Sequence, residues 1–440
     1  MNNLNRDLSL WGAASIGIGA IIGTGIFVLI GVASGLAGPA VVFSFIIAGL
    51  TALLTGLSSA ELSSFITEEG GGYIYAHKAF GKLMGFVIGW VKSFDYIIGS
   101  SAVSIGFASY LTYFLNIAPL QSIIIAVATV WPIVLTILNL KGIKETSKAN
   151  TALVILKVSA LIVFILVGTY YIMNHFNISN YQPFFPNGIE GVFSGAAIIF
   201  FAFIGFNTIT IVSEEVKNPK KNIPKAVLLS FSISLFLYIG VALVAIGLLN
   251  WKILGLSSAP LEAALSIATN NFFIQKFISI SALFATTSVI LSSIIGVSRI
   301  LFSMARKNLI PNVLSKISKN GTPFYSLILC GSAIPLIVIF STGNLKELAS
   351  IFNLGTLLTF AFINLSLLQL RRTSPNVKRG FKVPFFPITP VAGVISCIFL
   401  SSYLSPRAFL YGGIWILFGL LIYYLNKKTI QKIINLKQCN

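Results

Sequence analysis

Ile16-Gly17-Ile18-Gly19-Ala20-Ile21-Ile22-Gly23-Thr24-Gly25-Ile26-Phe27-Val28 reads as a membrane helix broken in its middle. The apolar run extends from Ile16 to Val32, and Gly23-Thr24-Gly25 interrupts it where hydrocarbon tolerates interruption least. A backbone N–H or C=O without a partner is expensive in lipid, so a broken helix persists only where the freed groups line a protein-enclosed cavity. A second break, Phe201-Ala202-Phe203-Ile204-Gly205-Phe206, sits inside the run Gly191 to Val212. Paired breaks in the first and sixth spans point to a solute site near the bilayer midplane.

The rest of the composition agrees. Of 440 residues, 56% are hydrophobic and 9% are charged, with a mean hydropathy of +0.92. Soluble domains carry roughly 25% charged residues, so the chain is an integral membrane protein. Cys330, Cys397 and Cys439 have neither disulfide nor metal-ligand spacing, and His77 and His175 are too few and too far apart for a metal site. No cofactor is expected. The apolar run after Asn2 to Asp7 exceeds the roughly 7–15 residues of a signal-sequence core, so it is expected to be the first span rather than a cleaved leader.

A span needs about 20 apolar residues. Twelve are expected, at 9–35, 38–66, 83–115, 120–140, 149–173, 191–213, 226–249, 273–304, 324–341, 347–370, 387–404 and 407–425. Of the 30 lysines and arginines, 23 fall on the even-numbered connections and the tails, 4 on the opposite side, and Lys92, Lys157 and Arg299 within spans. By the positive-inside rule both termini are cytoplasmic. The net charge of +19 is then mostly topology, with some attraction to lipid headgroups, and gives no reason to invoke nucleic acid.

Span 1 opens one block of five and span 6 the next. This suggests a 5+5 inverted repeat (about 9–173 and 191–370) in a transport core 1–373, followed by two accessory spans at 374–425 and a cytoplasmic tail at 426–440. The N–H groups of a helix restarting after Gly23-Thr24-Gly25 suit a carboxylate, and the carbonyls left before the break suit an ammonium. Together they describe a site for an amino acid's α-groups; the alternative is close packing of small residues between helices. Phe201, Phe203 and Phe206 around Ala202 and Gly205 read either as an aromatic-lined unwound turn or as a lipid-facing helix.

Lys157 lies about 8 residues into span 5, roughly 12 Å deep, too far for easy snorkelling. It reads as a proton-linked switch or as a fixed cation standing where a metal ion would bind; the alternative is a lysine that snorkels to a lipid headgroup. Lys92 and Asp95, three apart on one helix face, either neutralise each other or leave Asp95 to read a substrate side chain. Glu61, Glu214 and Glu215 read as solvated loop edges before gate salt bridges, and His77 as an exposed loop residue.

With these residues in hand, the chain resembles the amino acid–polyamine–organocation (APC) superfamily, nearest its cationic-amino-acid-transporter-like branch and that branch's prokaryotic relatives. The resemblance is carried in order by Gly19 to Phe27, Ala37-Gly38-Pro39-Ala40, Ser59-Ala60-Glu61-Leu62 and Gly71-Gly72-Tyr73-Ile74-Tyr75. It continues through Phe200 to Asn207, Glu214 to Pro219, Ile223-Pro224-Lys225, Met304 to Pro311, Gly321-Thr322-Pro323 and Phe381-Lys382-Val383-Pro384.

What the resemblance implies is an all-α, leucine-transporter-type fold of twelve spans, with helices 1 and 6 broken, two extra helices, and alternating access. By the same resemblance, amides at Thr24 and Gly25 hold the substrate carboxylate, with Gly23 beside them; carbonyls of Ile21, Phe201 and Ile204 hold its amino group; and Ala202 and Gly205 complete the turn. Phe201 takes the place of an aromatic gate. Lys157 matches a lysine that occupies the sodium position of sodium-coupled relatives, which favours proton coupling. The branch commonly has an acid where Asn207 stands and a glutamate where Asp95 stands, so a cationic substrate does not follow.

The reading at this stage is an amino acid symporter of the cell membrane, not an enzyme, whose partners are an amino acid, a proton and the bilayer. The alternatives are an amino acid exchanger, a polyamine or amine transporter, and a membrane amino acid sensor. A polyamine lacks the carboxylate that the first-span amides suit, and no connection is long enough for a soluble signalling domain.

Overall fold

The computed structural model describes residues 8–66, 71–141, 147–206, 209, 216–318 and 321–438. These residues are helical, and only two isolated bridges, Leu8 to Val216 and Ile317 to Pro323, add β pairing among them. Helix α1 (Leu10–Ile21) begins at Ser9, whose hydroxyl accepts from the Gly12 amide at 3.1 Å, an ordinary N-cap. It ends at Ile22, which is extended with φ −74° and ψ 93°. A π-helical turn at Gly25–Leu29 restarts the chain and leads into α2 (Ile30–Ala37). The chain then turns at Gly38, with φ +65°, a conformation a side chain disfavours.

After the turn come α3 (Val41–Ser63), α4 (Gly72–Phe80), α5 (Lys82–Phe114), α6 (Gln121–Leu140) and α7 (Ser147–Asn174). Next, α8 (Gly188–Ile199) passes into a tighter 3-10 segment at Phe200–Phe206. The chain continues through α9 (Pro219–Leu248), the short α10 (Trp251–Leu256) and α11 (Pro260–Ala268), then α12 (Phe272–Arg306) and α13 (Phe324–Phe340). It closes with α14 (Leu345–Thr373), α15 (Ile388–Ser401) and α16 (Pro406–Gln438).

Among the described residues, 9 helical stretches are long and apolar enough to cross a membrane, and the apolar helices Phe324–Phe340 and Ile388–Ser401 are shorter. Helices α5 and α12, which hold the two longest apolar runs, have 33 and 35 residues. At 1.5 Å per residue each is roughly 50 Å long, more than the hydrocarbon requires.

Three differences from the sequence reading have local causes. Residues 72–80 are the helix α4, and His77 in its last turn is half-buried with its ring stacked on Tyr73, rather than an exposed loop residue. The connection 249–272 folds into α10 and α11, started by Asn250 accepting from the Lys252 amide and by Pro260. Helix α16 runs past 425 to Gln438, since no glycine or proline occurs from 420 onward to stop it.

Helix α5 is the hub, packing against α4, α6, α12, α13, α14 and α16, while α1 packs on α7 and α9. The innermost side chains are large and fully buried: Phe27, Phe45, Tyr110, Phe200, Phe203, Tyr238 and Phe360. Outward-facing apolar residues such as Ile395, Ile398, Leu417 and Leu421 suit lipid, which rewards no apolar burial. Trp90 of α5 and Trp415 of α16 stack at 4.6 Å, and each indole N–H donates to the other's carbonyl, at 2.8 and 3.0 Å.

Candidate functional site

The two breaks meet backbone to backbone. A Cβ on Gly25 would collide with the backbone of Ala202, and one on Gly205 would collide with the Ala20 carbonyl and the Ile21 amide. Each glycine therefore lies where the other broken segment presses closest, and only a hydrogen fits. Gly23 faces a third element, Val289 of α12.

The helix ends at the breaks are satisfied by side chains from distant helices. The Tyr238 hydroxyl of α9 lies 2.8 Å from the Ile21 carbonyl and 3.1 Å from the Ala202 carbonyl, so one donor serves both breaks. Asn353 of α14 donates to the carbonyls of Ala197 and Ile198, at 2.7 and 2.8 Å, closing the end of α8. The Tyr110 hydroxyl of α5 donates to the Phe27 carbonyl at 2.6 Å, inside the π-helical turn. All three side chains are fully buried, where an unpaired carbonyl costs about 1–3 kcal/mol. Sequence reading missed all three, because a tyrosine or asparagine in an apolar span carries no mark of its partner.

Thr24 is 2% exposed, and its Oγ1 has no hydrogen-bond partner among the described residues. Of the aromatics, Phe203 stacks on Phe231 and meets Tyr238 edge to face, and Phe200 meets Phe360 edge to face, so both belong to the core. Phe201 is half-buried with its ring 4.3 Å from Phe352, and Ile204 and Gly205 are half-buried too. Around Phe201 and Ile204 gather Ile98, Ile105, Ile351 and Phe352, an apolar wall.

Lys157 of α7 is 3% exposed, and its ammonium donates to the Gly19 carbonyl at 3.3 Å and the Ser288 hydroxyl at 2.9 Å. It thus ties α7 to the last turn of α1 and to α12, three residues from the break.

Lys92 and Asp95 pair at 3.7 Å, and Thr356 donates to Asp95 Oδ2 at 3.2 Å. Asp95 is fully buried against Gly355 and borders a cavity of about 340 Å³ between α5, α14, α15 and α16. Residues 21–25 and 201–205 do not line that cavity. Asn207, Glu214 and Glu215 lie outside the described residues.

Glu61 departs from the solvated loop edge that its sequence position suggests. It is fully buried and takes two hydrogen bonds from Arg371, at 2.8 and 2.6 Å, one from the Val383 amide at 2.6 Å, and an ion pair with Arg379 at 3.2 Å. Its partners lie more than 300 residues along the chain, beyond any local pattern.

Comparison with known proteins decides what kind of molecule this is. Residues 8–425 match the model of a family described as amino acid permease. The chain belongs to that family, and so to the APC superfamily. This amino acid permease is 35% identical to the branched-chain amino acid permease BcaP of Bacillus subtilis (strain 168), over 98% of its own length and 95% of the relative's. It is 34% identical to the methylthioribose transporter of the same organism, covering 96% and 94% of the two chains. It is also 33% identical to the chloroplastic cationic amino acid transporter 9 of Arabidopsis thaliana, over 72% of this permease and 58% of that protein. The permease is a multi-pass membrane transporter rather than an enzyme.

Proposed function

We propose that this permease is a secondary active transporter that carries a neutral, apolar amino acid together with a proton across the cell membrane. The observation that carries the reading is the Lys157 ammonium resting on the Gly19 carbonyl, a turn before the first break, where Gly205 presses on Ala20 and Ile21. The ammonium's acceptors belong to α1 and α12, so Lys157 is the group through which the coupling proton is linked to the position of α1.

In this reading the amides of Thr24 and Gly25 hold the substrate carboxylate, and the Thr24 hydroxyl is free to join them. Carbonyls of Ile21, Phe201 and Ile204 receive the amino group, with Ile21 shared with Tyr238. Gly23, Ala202 and Gly205 leave room for the backbone approach, and the Phe201 ring closes over the solute. The apolar wall around Phe201, together with the Lys92 partner of Asp95, supports an uncharged substrate side chain. Asn207 remains a position through which side-chain preference is set, while Asp95 is held by Lys92 and Thr356.

Alternating access rests on a 5+5 inverted repeat of 9–173 and 191–370 within a core of 1–373, with accessory spans at 374–425 and a tail at 426–440. Twelve crossings follow when the stretch Leu10–Ser63 turns at Gly38 and the two shorter apolar helices also cross. The lysine- and arginine-rich connections support an orientation with both termini in the cytoplasm.

The test is uptake of radiolabelled amino acids, leucine, isoleucine, valine, methionine and arginine among them, into proteoliposomes with an inward proton gradient and no sodium. Accumulation of apolar substrates that collapses with a protonophore is expected. Uptake that appears only against preloaded amino acid, with no response to the gradient, replaces symport by exchange.

A further inference from the structure

The Phe201 ring at the second break is itself braced. Its centroid lies 4.3 Å from that of Phe352 on α14, with the two planes inclined at 42°. Phe352 is buried, whereas Phe201 is half-buried. The Cδ2–Cε2 edge of Phe352 fits a notch on α5 at Gly99, where a Cβ would come within 2.7 Å of both atoms. The Lys92 ammonium of the same helix stands 5.9 Å from the Phe352 ring centroid, within cation–π range. One ring thus meets both the aromatic side chain of the broken segment and the backbone of α5.

The backbone that carries Phe352 is fastened to both neighbours. The next residue, Asn353, donates to the carbonyls of Ala197 and Ile198 at 2.7 and 2.8 Å, in the turn that leads into Phe201. Thr356, one turn further on, donates to Asp95 Oδ2 of α5 at 3.2 Å. The first two bonds set the register of α14 against the segment that holds Phe201, and the third sets it against α5. Phe352 cannot slide past Phe201 without stranding buried hydrogen-bonding groups, which is costly.

We propose that Phe352 is a positioning residue that fixes how far the Phe201 ring can retreat, and thereby limits the size of the side chain the permease accepts. The proposal rests on the reading of the two breaks as the site of an apolar amino acid. It adds to that reading a wall of fixed depth, made of Phe201, Phe352 and the α5 backbone at Gly99 in series.

The class that fits is the short aliphatic side chain, those of valine, leucine and isoleucine among them. A phenylalanine or tryptophan side chain brings a further ring, for which Phe201 must withdraw into the place that Phe352 holds. A close-packed interior does not yield that volume without displacing side chains or backbone. Gly99 is the other half of the device, because only a hydrogen there lets Phe352 sit against α5. A side chain at 99 displaces the Phe352 ring from α5, and the Phe201 ring that rests on it is displaced in turn.

The test uses the full chain in lipid nanodiscs and makes two measurements. Binding of alanine, leucine and phenylalanine is read by ligand-induced thermal stabilisation, and a 4-fluorophenylalanine placed at position 201 reports the gate ring by its fluorine resonance. Phe352→Ala should raise the affinity for phenylalanine relative to leucine by about tenfold, the scale on which apolar pockets discriminate by size. Gly99→Ala should act in the opposite sense and weaken leucine relative to alanine. The fluorine resonance, displaced by the Phe352 ring, should move toward its free amino acid value in Phe352→Ala. A purely structural role lowers stability and leaves the affinity ratios as they are. Unchanged ratios in both variants overturn the proposal, as does a resonance indifferent to Phe352→Ala. Should Phe352→Ala not fold, an unchanged ratio and resonance in Phe352→Leu overturn it equally. Unmodified protein that binds none of the three amino acids overturns the reading of the site, and the resonance then still decides whether Phe352 positions Phe201.

Discussion

The Tyr238 hydroxyl stands 2.8 Å from the Ile21 carbonyl, at the point where α1 stops. Since the same hydroxyl lies 3.1 Å from the Ala202 carbonyl, a single proton donor serves both broken segments. Tyr238→Phe keeps the ring packing on Phe45 and Phe203 but strands two buried carbonyls. A loss of about 1–3 kcal/mol in stability is expected, with substrate uptake reduced more than the unfolding midpoint alone accounts for. Thermal unfolding and initial uptake rates at matched protein amount check this.

Lys157→Ala removes the link between α7, the Gly19 carbonyl and Ser288. Accumulation driven by a pH gradient should fall to background while substrate binding partly survives. Binding measured by thermal shift, beside gradient-driven uptake, separates the two. Undiminished accumulation removes Lys157 from coupling.

Gly25 and Gly205 have no room for a methyl group, because backbone atoms of Ala202 and Ala20 occupy the place of a Cβ. Gly205→Ala forces the two segments apart, at a cost of about 1–3 kcal/mol or more for overpacking. Substrate affinity should be lost in protein that still elutes as a folded species. Retained affinity, read by ligand-induced stabilisation, places the site elsewhere.

Glu61→Gln leaves Arg371 and Arg379 without their shared carboxylate. Removing one member of a buried, hydrogen-bonded ion pair costs about 3–5 kcal/mol, so a large drop in the unfolding midpoint is expected. Arg371→Ala should do the same, and the double variant should cost less than the sum of the two.

Asp95→Asn tests side-chain preference directly. The Asp95 contacts run to Lys92, Thr356 and Gly355, so the ratio of neutral to cationic substrate uptake should stay as it is while stability falls. A shifted ratio gives Asp95 a part in reading the substrate.

What could be read in the chain, and what could not, divides by the range of the interaction. Gly23, Gly25 and Gly205 stand out because glycine inside an apolar run breaks a local rule, and the helix end at Ile21 is where that rule predicts it. Lys157 stands out as a charge at a depth that lipid penalises, and Lys92 and Asp95 pair at the helical spacing of three. Tyr238, Asn353 and Tyr110 obey every local rule, and their acceptors lie 36 to 217 residues away. Glu61 looked like an edge charge because its partners come from the far end of the chain. Helices α10 and α11 are too short to rise above the polar connection that holds them.

The reciprocal bonds between Trp90 and Trp415 carry a practical consequence. Two indoles that donate to each other's carbonyls fix both the rotation and the height of α16 against α5, so the pair shifts together or not at all. A dye on the exposed face of α16, at Leu421, is thereby a fiducial for α5. Displacements of α1 measured against it are displacements against the protein's own frame rather than against the lipid.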